Sequence, residues 1–132
     1  MSEADDEIVI LRGRVEADVL RRIVGRHFEG MAKYVVDVER RVLALGGAMH
    51  ADAEERLIED GSRQADLWGA NYYPARGRDA CIEFVSLINI RPSAGNRSIE
   101  ILDAGLRGRV QEITFELVGC GEEEGWPPST PT

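Results

Sequence analysis

Lys33-Tyr34-Val35-Val36-Asp37-Val38-Glu39-Arg40-Arg41-Val42-Leu43-Ala44-Leu45 is the stretch on which the fold turns. Tyr34, Val36 and Val38 fall on one face and Val35 and Asp37 on the other. β-Branched residues at alternating positions predict a strand. Val42 to Leu45 predicts a second. Glu39-Arg40-Arg41 between them is of hairpin length but lacks the Gly or Asn of the favoured tight turns, so a single long strand is the alternative. Gly46-Gly47 breaks the run.

Toward the N-terminus, Glu16 and Asp18 precede Leu20, Ile23, Val24, His27, Phe28 and Met31. Recurrence at three- and four-residue steps predicts a helix with one apolar stripe. The acids suit the positive end of its dipole, and Gly30 would help end it. Ile8 to Leu11, closed by Arg12-Gly13-Arg14, predicts a first strand.

Toward the C-terminus, Asp52 with Glu55 three residues on reads as a capping box for a helix whose Leu57 and Ile58 would face the core and which stops at Gly61. Leu67 to Tyr73 predicts a strand ended by Pro74. Cys81 to Ile90 has the clearest alternation in the chain, with Ile82, Phe84, Ser86, Ile88 and Ile90 on one face and Glu83, Val85, Leu87 and Asn89 on the other. The two would pair as a hairpin, and Pro92 would end the second. Asp103 is a plausible N-cap for a last helix carrying Leu106, Val110, Ile113 and Leu117. Gly119 to Thr132 is rich in Gly, Glu, Pro and Ser and predicts a disordered tail.

The order β-α-β-β-α-β-β-α with short connections predicts an α+β domain over residues 6–118. Its sheet would be mixed or antiparallel, of about five strands, with about three helices packed on one face.

The 132 residues suit one domain, and 43% hydrophobic with 30% charged is an ordinary globular composition. The net charge of −8 disfavours duplex DNA and anionic membrane surfaces. Much of that charge sits at the ends, in Glu3, Asp5, Asp6 and Glu7 and in Glu122 to Glu124, so a local basic patch could still hold a small anion. Cys81 and Cys120 make neither a zinc spacing nor a disulfide framework. The acidic N-terminus is unlike a signal peptide, and no apolar run approaches the roughly 18 residues of a membrane span. These features predict a cytoplasmic protein without cofactor or structural metal.

Three stretches could carry chemistry. His50-Ala51-Asp52-Ala53-Glu54-Glu55 combines an imidazole with carboxylates that could hold a divalent ion or move protons; the plainer reading is a helix start. Asp66-Leu67-Trp68-Gly69-Ala70-Asn71-Tyr72-Tyr73 could floor a pocket for a flat or sugar-like ligand, or supply core aromatics. Asn89-Ile90-Arg91-Pro92-Ser93-Ala94-Gly95-Asn96-Arg97-Ser98 sets guanidinium forks beside a Gly-containing turn, which suits phosphate or carboxylate; the alternative is a connection whose Arg91 pairs with a carboxylate.

The Leu-Trp-Gly-x-Asn segment at 67–71 and the Asn-Ile-Arg-Pro segment at 89–92 with the following Gly95-Asn96-Arg97-Ser98 resemble a small prokaryotic family filed as a domain of unknown function. The resemblance runs from about Ile8 to Val118. It implies the domain limits and a prokaryotic source, and it transfers no catalytic role.

Three functions follow as expectations. The first is a non-catalytic module that binds an anionic small molecule or a protein partner through a cleft of Trp68, Asn71, Asn89, Arg91, Asn96 and Arg97. The second is a metal-assisted hydrolase using His50, Asp52, Glu54 or Glu55, with Glu83. The third is an antitoxin- or immunity-type protein whose acidic surface meets a basic partner.

Overall fold

The computed structural model describes residues 7–121. Five strands, β1 (Ile8–Leu11), β2 (Ala32–Asp37), β3 (Val42–Gly46), β4 (Leu67–Tyr72) and β5 (Ile82–Glu83), form one sheet in the order β1-β3-β2-β4-β5. Every pairing is antiparallel. The helices are α1 (Ala17–Ile23), α2 (His50–Glu59) and α3 (Ala104–Leu117). This is a small α+β domain.

The 33–45 stretch is a hairpin. Without Gly or Asn at its tip, the turn is made by Asp37 and Arg41. Asp37 is fully buried, and its Oδ1 accepts from the backbone N–H groups of Glu39 and Arg40 at 2.9 Å each. Its Oδ2 accepts from the Ser62 hydroxyl at 2.6 Å. An aspartate bonding the backbone two and three residues on builds the turn that glycine would otherwise permit. Arg41 takes the left-handed conformation at φ 57°.

The helices cover both faces of the sheet, not one. Leu11, Tyr34, Val36, Leu43, Leu45, Trp68, Ala70 and Tyr72 face α1 and α3, together with Leu20, Ile23, Val110, Ile113 and Leu117. Ile8, Val35, Val42, Ala44 and Leu67 face Ala53 and Leu57 of α2. The sign was present in β3, where Val42, Leu43, Ala44 and Leu45 are apolar on successive positions and all buried. A strand covered on both sides reads as a continuous apolar run.

Three further expectations are corrected. Helix α1 ends at Ile23 instead of continuing toward Met31: Val24 turns extended and Gly25 adopts φ +87°. Helix α2 begins at His50 with Met49 as N-cap, so Asp52 lies in its first turn and makes no capping box. The strand at 81–90 shrinks to Ile82–Glu83, after which the chain makes a single bridge, Val85 to Glu100, and a 3-10 turn at Leu87–Asn89.

The chain beyond Val118 stays against the domain as far as Gly121, whose N–H donates to the Tyr72 hydroxyl at 2.9 Å. The expected disorder of 122–132 lies outside the described residues.

Candidate functional site

The shortened last strand leaves β4 with an open edge at Leu67–Gly69. Side chains close it. Asn89 is fully buried; its Oδ1 accepts the Gly69 N–H at 2.8 Å and its Nδ2 donates to the Gly69 carbonyl at 3.0 Å. One side-chain amide thus imitates the strand neighbour that is missing. The same Nδ2 reaches the Ile99 carbonyl at 3.1 Å. Asn96 does similar work within the connection: its Nδ2 faces the carbonyls of Asn89, Ser98 and Glu100 at 2.8–3.0 Å, and its Oδ1 accepts the Leu102 N–H. Buried backbone groups need partners, and an irregular segment can find them only in side chains.

Arg91 completes the edge. Its guanidinium donates to the carbonyls of Leu67 and Ala65, stacks 4.6 Å over the Trp68 ring and lies 3.6 Å from the Glu54 carboxylate. It is 14% exposed, and burial pulls its pKa down, offset in part by Glu54 and Asp66. Its fork is therefore turned toward the protein's own carbonyls and Glu54, as the plainer reading of this loop had it.

The six residues expected to form one cleft divide. Asn89, Arg91 and Asn96 hold the connection together; Trp68 is core with Arg91 on its face; Arg97 is exposed. Two open clefts flank the 91–96 turn. One of about 400 Å³ is lined by Glu54, Gln64, Ile88, Ile90 and Arg91; the other, about 420 Å³, by Asp66, Trp68, Asn96, Asp103 and Arg109.

Asn71 lies elsewhere, on the opposite face from Trp68, and there it meets two residues expected to be catalytic. Lys33, Asn71 and Glu83 stand in register across β2, β4 and β5. Asn71 Nδ2 donates to Glu83 Oε1 at 2.8 Å, and the Tyr73 hydroxyl donates to the same oxygen at 3.2 Å. The neighbouring carboxylate and burial both push the Tyr73 pKa up, burial more. His50, at the start of α2, places Nε2 2.8 Å from the Ala70 carbonyl. A carbonyl only accepts, so Nε2 carries the proton. Burial lowers the imidazole pKa to about 4, against smaller upward effects of Ala70, Asn71 and Glu83. His50 is thus a neutral donor at pH 7. Asp52 and Glu55 are exposed on α2. Among the described residues no group of three His, Cys, Asp or Glu side chains could hold a metal ion.

Gly69 is what lets His50 and the connection close over β4. A Cβ there would sit 2.6 Å from Ser86 Cβ and 3.2 Å from His50 Cδ2. Gly69→Ala is expected to cost about 1–3 kcal/mol, the range for overpacking. Adding Ser86→Gly should restore part of that loss in denaturant titrations. A fully additive double variant would place the clash elsewhere.

No sequence signal marked Asn89 and Asn96 as structural, because a buried asparagine facing backbone reads the same as one facing a ligand. Tyr73 and Lys33 were missed as neighbours of Asn71; the strand register that joins them is not written in either strand alone.

Among the described residues no helix is long and apolar enough to cross a membrane. No curated protein and no solved structure matches the chain. A family model described as "Protein of unknown function (DUF5674)" matches residues 9–117, which contain every strand but the first residue of β1, all three helices and both asparagine-built connections, and the chain belongs to that family.

Proposed function

We propose that this domain is a cytoplasmic, non-catalytic binding module that docks a protein partner on the surface of residues 85–102. The observation that carries the reading is a contrast within one segment. Its interior is fixed by Asn89 and Asn96, yet its outside presents Leu87, Ile90, Ile99 and Leu102, with Leu87 78% exposed and Leu102 57%. Ser86 N–H to Ile99, Ile90 N–H to Leu87 and Asn89 Nδ2 to Ile99 tie three of these residues to one place. A long ordered loop without regular structure is usually functional, and a rigid one binds at less entropic cost. Large aliphatics held out in water on such a loop suit the apolar centre of an interface.

The anion-binding form of the module loses support, since Arg91 is engaged with Leu67, Ala65, Trp68 and Glu54. The hydrolase reading loses it too, since His50 faces Ala70.

The test is photo-cross-linking in the source cell, with a benzophenone amino acid at position 87 or 102 and at exposed Asp52 as control. A discrete protein adduct at 87 and 102 but not at 52 is expected. Binding of that purified protein should fall by about tenfold or more in Leu87→Asp, roughly 1.4 kcal/mol or more. No discrete adduct, or binding indifferent to Leu87→Asp in a variant of unchanged circular dichroism, overturns the reading. Adducts between copies of this chain would move the partner to self-association and overturn the hetero-partner.

A further inference from the structure

Hydrogen-bonding direction alternates along an antiparallel strand, so one known bond fixes it for its neighbours in register. The Val38 N–H donates to the Asp66 carbonyl, and the Gly69 N–H turns away from β2 to Asn89. Tyr34 and Val36 therefore bond to β4, and Val35 and Asp37 to β3. Leu43 and Leu45 then bond to Leu11 and Val9 of β1. Ile8 and Ile10 are left with N–H and C=O pointing outward from the end strand of the sheet. The Ile8 carbonyl accepts from Arg56 Nη2 at 3.4 Å. The Ile8 N–H and both backbone groups of Ile10 have no partner among the described residues.

The two edges of the sheet therefore differ. Past β4, Asn89 and Arg91 occupy the open backbone groups of Leu67 and Gly69. Beside β1, a single long contact from Arg56 does so. Proteins ordinarily protect such an edge with proline, lysine, a bulge or an inward-pointing charge. β1 is Ile8-Val9-Ile10-Leu11, in unbroken register with β3, and has none of these. Val9 and Ile10 are half-buried, Val9 on the face of α1 and α3 and Ile10 on that of α2. Charge flanks the strand asymmetrically: Asp5-Asp6-Glu7 precede it, and Arg12 and Arg14 follow it.

We propose that the outer edge of β1 is a self-association surface, on which a second copy of this chain adds its own β1 antiparallel and continues the sheet. The charge pattern selects both the partner and the direction. Antiparallel pairing of β1 with itself sets the acidic run of one copy beside the arginines of the other; parallel pairing sets like charge against like. Opposed residues must share a face, and the outward-facing groups must meet. Both conditions hold when Val9 lies opposite Val9 of the second copy and Ile8 opposite its Ile10. The two-fold axis then passes between the valines, and the interface is the same patch on each copy. Four hydrogen bonds form, from each Ile8 N–H to an Ile10 carbonyl and from each Ile10 N–H to an Ile8 carbonyl. An oxygen with two lone pairs can keep Arg56 as well. Valine meets valine on one face and isoleucine meets isoleucine on the other, pairs that stabilise adjoining strands. Four residues a side form less than the roughly 1,200 Å² of a stable interface, so the dimer is reversible. The 85–102 surface lies beyond β4, toward the other edge of the sheet, so this pairing leaves it free, and neither reading depends on the other.

The test uses the full chain, in sedimentation velocity from about 10 μM to about 1 mM and in amide hydrogen exchange at both ends of that range. A monomer–dimer equilibrium is expected. Val9 and Leu11 amides, bonded to β3, should be protected at every concentration, whereas Ile8 and Ile10 amides should gain protection only as the dimer fills. A sample mixing labelled and unlabelled chains should show an intermolecular Hα–Hα contact at Val9, the close pair of an antiparallel ladder. Ile10→Pro removes an outward N–H and no bond to β3, so an edge strand tolerates it. By symmetry it deletes two of the four hydrogen bonds and should weaken the dimer about tenfold or more. Ile10→Lys, which sets a charge on the edge while its stem keeps the apolar contact, should do the same if the proline variant fails to fold. A chain monomeric at 1 mM, Ile10 protection that does not depend on concentration, a dimer whose contacts map to residues 85–102, or one of unchanged affinity in a folded position-10 variant overturns the proposal.

Discussion

Asn89→Asp is expected to remove about 4 kcal/mol or more of stability, a large share of the roughly 5–15 kcal/mol typical of a domain. The substitution changes neither size nor shape. It keeps the oxygen that accepts the Gly69 N–H and replaces the NH₂ that donates to the Gly69 and Ile99 carbonyls. Two hydrogen bonds vanish, the Gly69 carbonyl loses this donor while the Ile99 carbonyl keeps the Ser86 N–H, and a carboxylate faces both from a fully buried position. Asn89→Ala should cost less, about 3 kcal/mol, because it leaves groups unsatisfied without adding charge. The aspartate's pKa would be raised, so its penalty relative to the parent grows as pH rises from about 4 toward 7. Denaturant titrations of parent, Ala and Asp forms at pH 5 and pH 7 decide it. An aspartate no worse than alanine, or a penalty constant in pH, would mean that Asn89 does not act as the substitute edge of β4.

That side-chain edge explains where sequence reasoning succeeded and where it failed. The 33–45 hairpin was legible because burial on alternating positions is local information, and the missing turn glycine was replaced by Asp37, another local device. The strand expected at 81–90 failed because its alternation is real but its partner is not available. Ser86 packs against Gly69, where even a Cβ has no room, and the chain leaves the sheet there. Asn89 then returns an amide to β4 in place of a backbone. Alternation reports which residues alternate between environments; it does not report whether a neighbour's edge is open. Helix α1 failed in the same manner: Val24, Phe28 and Met31 keep helical spacing, and Val24 is buried, but the chain passes through Gly25 in a left-handed turn after Val24 and before the other two.

The candidate site was legible in composition and not in grouping. Asn71, Glu83 and His50 were each noticed, but Asn71 was set with Arg91 and the other two with Asp52. Within β4, strand alternation sets Asn71 on the face opposite Trp68. Joining it to Lys33 and Glu83 required the order β2-β4-β5, which depends on α2 crossing between β3 and β4 rather than on any residue in those strands.

Acidification from pH 6.5 to 4 is expected to reduce stability by about 3 kcal/mol through His50 alone, from its depression of roughly 2.5 pKa units at 1.36 kcal/mol each. The folded imidazole has its pKa lowered to about 4 against an ordinary value of 6.5. Between those values the unfolded chain binds a proton that the folded chain refuses, so stability rises with pH across the window and is complete above 6.5. The cause is burial at 8% exposure, and the proton already on Nε2 is held by the Ala70 carbonyl. His50→Gln tests it. A glutamine amide can donate to Ala70 without titrating, so the variant should lose some stability at pH 7 and show a flatter profile. The difference between parent and variant free energies should shrink from pH 6.5 to 4.5, a comparison in which the carboxylates common to both proteins cancel. A histidine resonance titrating near 6.5 in the folded protein and assigned to position 50, or parallel profiles for parent and variant, would show that the imidazole opens to water and that α2 does not seal it against Gly69.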